Sequence, residues 1–435
     1  MNTTEANDAS VADTLDNSAE DRTAKENTGA SDAATSSSFA FDTAELLSDG
    51  IKATPPSFVR SILKAASDPQ VTSFAGGLPN PISFPQDQLL ESMKRVVADQ
   101  GPNAFQYSST AGIDELRQWI ADRYNARFGT DYVLDDVLVT TGSQQILDLL
   151  GKVLLDKGDG VIVEDPTYLA AIQAFALQQP IFREVELTSE GLNIDELNAA
   201  LDAGAKMIYL IPNFQNPTGL TYTAENRQQV REALAGRNIV VVEDDPYGEL
   251  RFEGESLPYI GATNHPHGVV MGSFSKTVTP GFRMGYLLTK DHELLHAIST
   301  AKEAADLHTN VFAQYVVHDY LIHHELDEHL AKIRELYRSQ AGAMVDAMKE
   351  FFPAEVDFTI PEGGMFLWVT LPDGISAMEL FDKALARNVA FVPGDPFYAT
   401  PGTRSTLRLN FTNADEETIR DGIKRLAEVI AAEIS

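Results

Sequence analysis

Gly272-Ser273-Phe274-Ser275-Lys276-Thr277-Val278-Thr279-Pro280-Gly281-Phe282-Arg283-Met284-Gly285 is the most informative stretch of this 435-residue chain. It follows the apolar run Gly268 to Met271, which reads as a buried strand. One lysine stands between two short hydroxyl residues, and an arginine follows on the same loop. Hydroxyls and a planar guanidinium are the donors that a phosphate monoester needs. A lysine amine beside them can form an imine with an aldehyde. A strand leading into such a turn delivers these groups to the carboxyl edge of an α/β sheet, where such sheets bind ligands. The bland alternative is a surface turn with ordinary charges.

Other stretches repeat the pattern of apolar run, then polar turn. Glu243-Asp244-Asp245-Pro246-Tyr247 follows the run Ile239 to Val242. One small molecule carries both an aldehyde and a phosphate, pyridoxal 5′-phosphate. It needs an anion at its ring nitrogen to keep the ring cationic. Asp244 suits that role, and Tyr247 could reach the phenolic oxygen. The alternative is that Asp244 and Asp245 only cap a turn. Asn213-Phe214-Gln215-Asn216-Pro217-Thr218-Gly219 follows the run Met207 to Ile211. It is a turn signal in itself, and the Asn216 amide could donate to the same phenolic oxygen. Thr141-Gly142-Ser143-Gln144-Gln145 opens an apolar helix, Ile146 to Leu155. Free N–H groups at such a helix start suit a phosphate; a plain N-cap by Ser143 is the alternative. Tyr168, in Glu164-Asp165-Pro166-Thr167-Tyr168, could stack on a ring.

The wider layout is α/β. Short apolar runs at Val161 to Val163, Met207 to Ile211, Ile239 to Val242 and Val269 to Met271 suit buried parallel strands. Helical segments between several of them suit parallel crossovers. Leu89 to Val97 and Ile113 to Phe128 read as amphipathic helices. From about His324 a long charged helix leads to a second unit. There, strands at Phe358 to Ile360 and Met365 to Val369 alternate with helices at Ala377 to Arg387 and Glu416 to Ala432. The expected organisation is a disordered acidic tail over 1–40 and a segment over 41–95 that packs with the smaller domain. A large cofactor-binding domain with a mainly parallel sheet follows over 96–324, then a small α+β domain over 325–435.

Composition narrows the function classes. With 33 Lys+Arg against 64 Asp+Glu, the net charge of -31 repels nucleic acid and anionic membranes. The acidity reads either as a solvated surface or as adaptation to high salt, where ions screen self-repulsion. The absence of cysteine excludes disulfides, thiolate metal sites and cysteine nucleophiles. No metal site is expected. The start of the chain lacks the basic and apolar regions of a signal peptide, and no long uncharged apolar run occurs. The expectation is a cytoplasmic protein.

Taken in order, several strings carry a family resemblance. They are Ser73-Phe74-Ala75-Gly76-Gly77-Leu78-Pro79, Tyr107-Ser108-Ser109-Thr110-Ala111-Gly112, Thr141 to Gln145, Gln215 to Gly219, Glu243-Asp244-Asp245 and Ala305-Asp306-Leu307-His308-Thr309. From about Thr54 onward the chain resembles the fold-type I, pyridoxal-phosphate-dependent aminotransferases of class I/II. Within that group it is most similar to the 2-aminoadipate and kynurenine aminotransferase branch. The resemblance implies that Lys276 binds the cofactor covalently and later shuttles a proton. It implies Asp244 at the ring nitrogen, Asn216 and Tyr247 at the phenolic oxygen, and Tyr168 on the ring. It assigns the phosphate to Ser143, Gln144, Ser273, Ser275 and Arg283, with Tyr107 contributed by the second subunit of a homodimer. Arg408 would clamp the substrate α-carboxylate, with Gly77 and Asn216 also on the substrate side. Arg60 would meet a distal carboxylate or remain a solvated charge; Ser61 stands where an acidic residue is common. His308 is either a pocket residue or a hydrogen-bonded structural one, and Met365 and Trp368 read as core.

The implied activity is ping-pong transamination between an L-amino acid (2-aminoadipate, glutamate or aromatic) and a 2-oxo acid such as 2-oxoglutarate. A lyase or decarboxylase on the same scaffold is the alternative, since fold does not fix reaction. A transcription regulator is disfavoured, because the segment before Phe41 is short, acidic and poor in apolar residues.

Overall fold

The computed structural model describes residues 43–54, 62, 68–261 and 265–434. The 1–40 tail and Arg60 lie outside the described residues. The chain divides into two units, Met1–Leu47 and Ser48–Ser435. In the first, the described residues form one short helix, Thr43–Leu46. All further elements belong to the second.

Its strands, in chain order, are β1 (Thr72–Ser73), β2 (Val137–Thr140), β3 (Gly160–Asp165), β4 (Ile181–Thr188), β5 (Gly191–Leu192), β6 (Met207–Leu210), β7 (Val240–Asp244), β8 (Gly268–Ser273) and β9 (Gly285–Leu288). Then come β10 (Asp357–Phe358), β11 (Phe366–Thr370), β12 (Val389–Ala390), β13 (Val392–Pro393) and β14 (Thr406–Asn410). An eight-stranded sheet runs β2-β9-β8-β7-β6-β3-β4-β5. The β8-β7-β6-β3-β4 pairings are all parallel. β9 is antiparallel to both β8 and β2, so β2 runs with the parallel set. This is the mainly parallel α/β architecture expected from the sequence.

The apolar runs explain the centre of that sheet. Every residue of β6 and β8 is buried, as parallel strands covered on both faces require. β4 lies further out and mixes Arg183, Glu184 and Glu186 with apolar residues, so it gives no clean run. β2 and β9 are four residues each, no shorter than β6, and carry apolar runs of their own at Val137 to Val139 and Tyr286 to Leu288. All three are absent from the expected strands; only β4 lacks an apolar run to mark it.

A second sheet is antiparallel, in the order β10-β11-β14-β13. β1 pairs in parallel with β12. The helix Leu326–Phe351 buries Leu330, Ile333, Tyr337, Ala341, Met344 and Met348 on one stripe and packs on the helix Glu416–Ile434. One expectation needs correction. The strand read at Phe358 to Ile360 is only Asp357–Phe358, because Thr359 turns its hydroxyl to the Thr218 carbonyl and Ile360 is exposed. Among the described residues, no helix is long and apolar enough to cross a membrane.

Candidate active site

The parallel topology decides where side chains converge. β2, β3, β6, β7 and β8 all end on the same edge of the sheet. A cavity of about 570 Å³ opens there, and Arg408 reaches it from β14 of the second sheet.

Asp244 is the last residue of β7 and is 2% exposed. Its Oδ2 accepts the Tyr209 hydroxyl at 2.6 Å, while Oδ1 has no partner among the described residues. Burial pushes its carboxyl up to about 7, against the Tyr209 bond that favours the charged form. A nearby cation would relieve that cost. The capping role belongs to the next residue alone: Asp245 accepts from Gly248 N–H, Asn213 Nδ2 and the Tyr259 hydroxyl.

Lys276 lies on the turn after β8 and points into the cavity. Its Nζ donates to the Gly77 carbonyl at 2.7 Å. Burial, with Arg408 and Arg283 nearby, brings its amine down to about 8. Ser273 and Ser275 line the same wall, and Ser275 N–H donates to Ser273 Oγ.

The helix after β2 spans Ser143–Leu154, three residues earlier than its first apolar residue. Ser143 is therefore not its N-cap; Gly142 is, at φ 76° and ψ 166°. That conformation is open essentially to glycine alone. A Cβ there would also stand 2.6 Å from the Arg283 guanidinium, so the missing side chain lets Arg283 lie against the helix start. Ser143 and Gln144 face the cavity from this first turn. Behind it, Asp306 accepts from Thr141 Oγ1 and Gln145 Nε2, and buried Lys302 ties Asp306, Gln145 and Thr309 together.

Arg408 is 3% exposed. Its Nη1 donates to Asn216 Oδ1 at 2.7 Å and its Nη2 to the Ala75 carbonyl at 2.9 Å. The guanidinium lies 4.2 Å from the Phe366 ring centroid and 5.1 Å from that of Phe397. Its Nε has no partner among the described residues. Burial lowers it to about 10. A buried guanidinium without a carboxylate is costly, and an incoming anion offsets that. Asn216 Nδ2 also donates to the Tyr247 hydroxyl at 3.4 Å, and burial pushes that phenol well up. Tyr168 and Phe366 line the cavity.

So one cavity gathers Gly77, Ser143, Gln144, Tyr168, Asn216, Asp244, Tyr247, Ser273, Ser275, Lys276, Arg283 and Arg408. Tyr107 is not among them; it is 78% exposed, its ring edge against His308. His308 is hydrogen bonded to the Thr309 carbonyl, and Met365 and Trp368 are core. Sequence reasoning missed Tyr209, Glu164, Phe366 and Phe397. A phenol inside the buried run Met207 to Ile211 was a usable signal, because a buried hydroxyl needs a partner. So was Glu164, a carboxylate near a strand's carboxyl end like Asp244. The two phenylalanines carried no such mark.

Comparisons with known proteins agree with this geometry. The family model for aminotransferase class I and II matches residues 80–426. The chain is 42% identical over 392 residues to aromatic-amino-acid aminotransferase 1 of Thermococcus litoralis, covering 88% of this chain and 93% of that one. A crystal structure of Pyrococcus horikoshii kynurenine aminotransferase in complex with PMP superposes with a TM-score of 0.86 at 39% identity, covering 91% of this chain and 99% of that one. The α-aminoadipate aminotransferase of Thermus thermophilus, complexed with N-(5′-phosphopyridoxyl)-L-leucine, gives 0.84 at 40% identity over 91% and 99% of the two chains. The chain belongs to the class I and II aminotransferase family.

Proposed function

We infer that this protein is a pyridoxal-phosphate-dependent aminotransferase moving an amino group from an L-amino acid to a 2-oxo acid. The observation that carries the reading is the Asp244 carboxylate, buried with one unpartnered oxygen, on the same cavity as the Lys276 amine and the Gly142–Arg283 helix start. That donor set fits the cofactor's cationic ring nitrogen, aldehyde and phosphate. Ser143, Gln144, Ser273, Ser275 and Arg283 would hold the phosphate. Asp244 would hold the ring nitrogen, Asn216 and Tyr247 the phenolic oxygen, and Tyr168 the ring face.

When bound, the cofactor supplies an aldehyde to receive the amino group and a cationic ring that draws electrons from the substrate α-carbon. The chain's own groups do the rest. Arg408 grips the α-carboxylate through its fork, held in place by Asn216, Ala75 and the two phenyl faces. Lys276 Nζ removes the α-proton; an amine brought down to about 8 is matched to that task near neutral pH. Asp244, as carboxylate, keeps the proton on the ring nitrogen. Ile211 and Phe366, both buried, give the cavity apolar walls.

The proposed donors are 2-aminoadipate, glutamate and aromatic amino acids, with 2-oxoglutarate as acceptor in a ping-pong cycle. Relatives named for aromatic amino acids, kynurenine and α-aminoadipate support that range. Their shared aminotransferase names set aside the lyase and decarboxylase readings. The proposal includes a homodimer, in which Tyr107 reaches the neighbour's phosphate site. Its support is the exposure of Phe105 at 69% and Tyr107 at 78%, large aromatics otherwise poorly placed in water. It also includes domain limits of 96–324 and 325–435, which separate the eight-stranded from the four-stranded sheet.

The test is to load the purified protein with pyridoxal phosphate in concentrated salt and add 2-aminoadipate. The visible band of the bound cofactor should disappear as the 2-oxo acid forms. Release of ammonia or of a cleaved side chain instead would overturn the reading.

A further inference from the structure

Glu164 is a buried carboxylate for which the transamination described above has no use. It lies one residue before the end of β3 and is fully buried. Its Oε1 accepts the Ile211 N–H at 2.9 Å and the Tyr222 hydroxyl at 2.6 Å. Its Oε2 accepts Gln215 Nε2 at 2.8 Å and Thr167 Oγ1 at 3.5 Å. All of these partners are neutral donors, and no lysine or arginine among the described residues forms an ion pair with it. A neutral side chain would bury at lower cost, so the position calls for a group that only accepts.

The donors come from separate places. Thr167 belongs to the turn after β3, and Ile211 directly follows β6. Gln215 and Tyr222 belong to the loop beyond β6. Gln215 passes the restraint on: Nε2 also donates to the Pro166 carbonyl, and Oε1 accepts Thr218 N–H and Oγ1. The next residue after Thr167 is Tyr168, and the next after Gln215 is Asn216. Both line the cavity, and Asn216 in turn holds Arg408 and Tyr247.

We propose that Glu164 is a positioning residue for transamination: its carboxylate draws the β3 and β6 loops together and so fixes Tyr168 and Asn216 against each other across the cofactor cleft. The proposal rests on the aminotransferase reading. Burial pushes the carboxyl up to about 7, so the comparison belongs at pH 8, where the ionised group offers about four acceptor sites to these donors. Glutamine has the same shape but turns an NH₂ toward donors, so at least one bond is lost and one repulsion gained.

The test is Glu164→Gln, assayed with loaded enzyme for kcat and KM, and by visible circular dichroism of the bound cofactor, which reads ring orientation. The expected result is a fall in kcat of about 10- to 100-fold, KM within about threefold, and an altered circular dichroism band. A lower melting temperature with kcat and the band unchanged would overturn the proposal. Should Glu164→Gln fail to fold, Tyr222→Phe removes one donor and keeps the carboxylate. It should alter the band in the same sense, with a kcat loss of about three- to tenfold. A folded Tyr222→Phe with both readouts unchanged would equally sink the idea. Wild-type enzyme with no amino-transfer activity is a different result, and counts against the function itself.

Discussion

Asp244 holds a charge where the surroundings resist it. One oxygen has Tyr209 and the other has nothing among the described residues. Its carboxyl titrates near 7 in the folded chain, against an ordinary 3.8. Between those values the folded chain keeps a proton that the unfolded chain has released. The contribution to stability is therefore full below the lower value and is lost as pH rises toward about 7. Asp244→Asn removes that loss. At pH 8 the cofactor-free variant should melt higher than wild type, by about 2 °C for each kcal/mol recovered, and the difference should shrink toward pH 4. Loaded with cofactor, the same variant should lose at least about 100-fold in kcat/KM. Thermal scans at both pH values and steady-state rates check the pair of effects; a variant less stable at pH 8 would contradict the argument. Arg408→Lys makes a complementary case. A lysine cannot keep Asn216 and Ala75 and still offer a fork, so kcat/KM should fall about 30- to 100-fold, mainly through KM. Asp244 was readable because it closes an apolar run. Tyr209, which bonds it, was hidden inside another.

The helix Ser143–Leu154 shows what a periodic pattern leaves out. Its apolar spacing begins only at Ile146, and it is the Gly-Ser start at Thr141 to Gln145 that marks the helix N-terminus. The polar first turn, which faces the cavity, has no apolar period and is read from its Gly-Ser chemistry instead. Nor does the pattern disclose why residue 142 must be glycine, since the reason is Arg283, distant in the chain and adjacent in space. Gly142→Ala should strain the turn by about 1–3 kcal/mol and push the guanidinium aside. Pyridoxal phosphate should then bind more than about 10-fold more weakly, measured by titrating apoprotein and following the visible band. Unchanged affinity would remove this turn from the phosphate site. The same limit explains the missed β4, and not β2 and β9. β4 alternates charged and apolar residues near one edge of the sheet, and β2 and β9 lie toward the other edge with runs no longer than that of β6. β4 is specified by its partners more than by its own residues.

At the scale of the molecule, two electrostatic effects of salt oppose each other. Ion pairs such as Arg387–Glu428, Arg420–Glu350 and Arg338–Glu335 join half-exposed side chains, and salt weakens them. Each is worth about 0–1 kcal/mol at most. Against them stands the repulsion among acids that have no base to match, since 64 acidic residues face 33 basic ones. That repulsion is long in range at low salt. The Debye length is about 30 Å at 0.01 M and about 3 Å at 1 M, so most of it is screened over that interval. With -31 net charges, the repulsive sum should dominate the scattered pairs. The melting temperature of the loaded enzyme should therefore climb from about 0.01 M to about 1 M potassium chloride, most steeply at the low end. Choline chloride should give the same climb over that range, because screening depends on charge and not on the ion's identity. A further rise above about 1 M, seen with potassium alone, would mark specific hydration of the acidic surface, since screening is by then nearly complete. A melting temperature that stays flat or falls across the whole range would mean that the acids are spaced widely enough to ignore one another. The charge would then serve solubility alone, and the high-salt reading of the composition would fail.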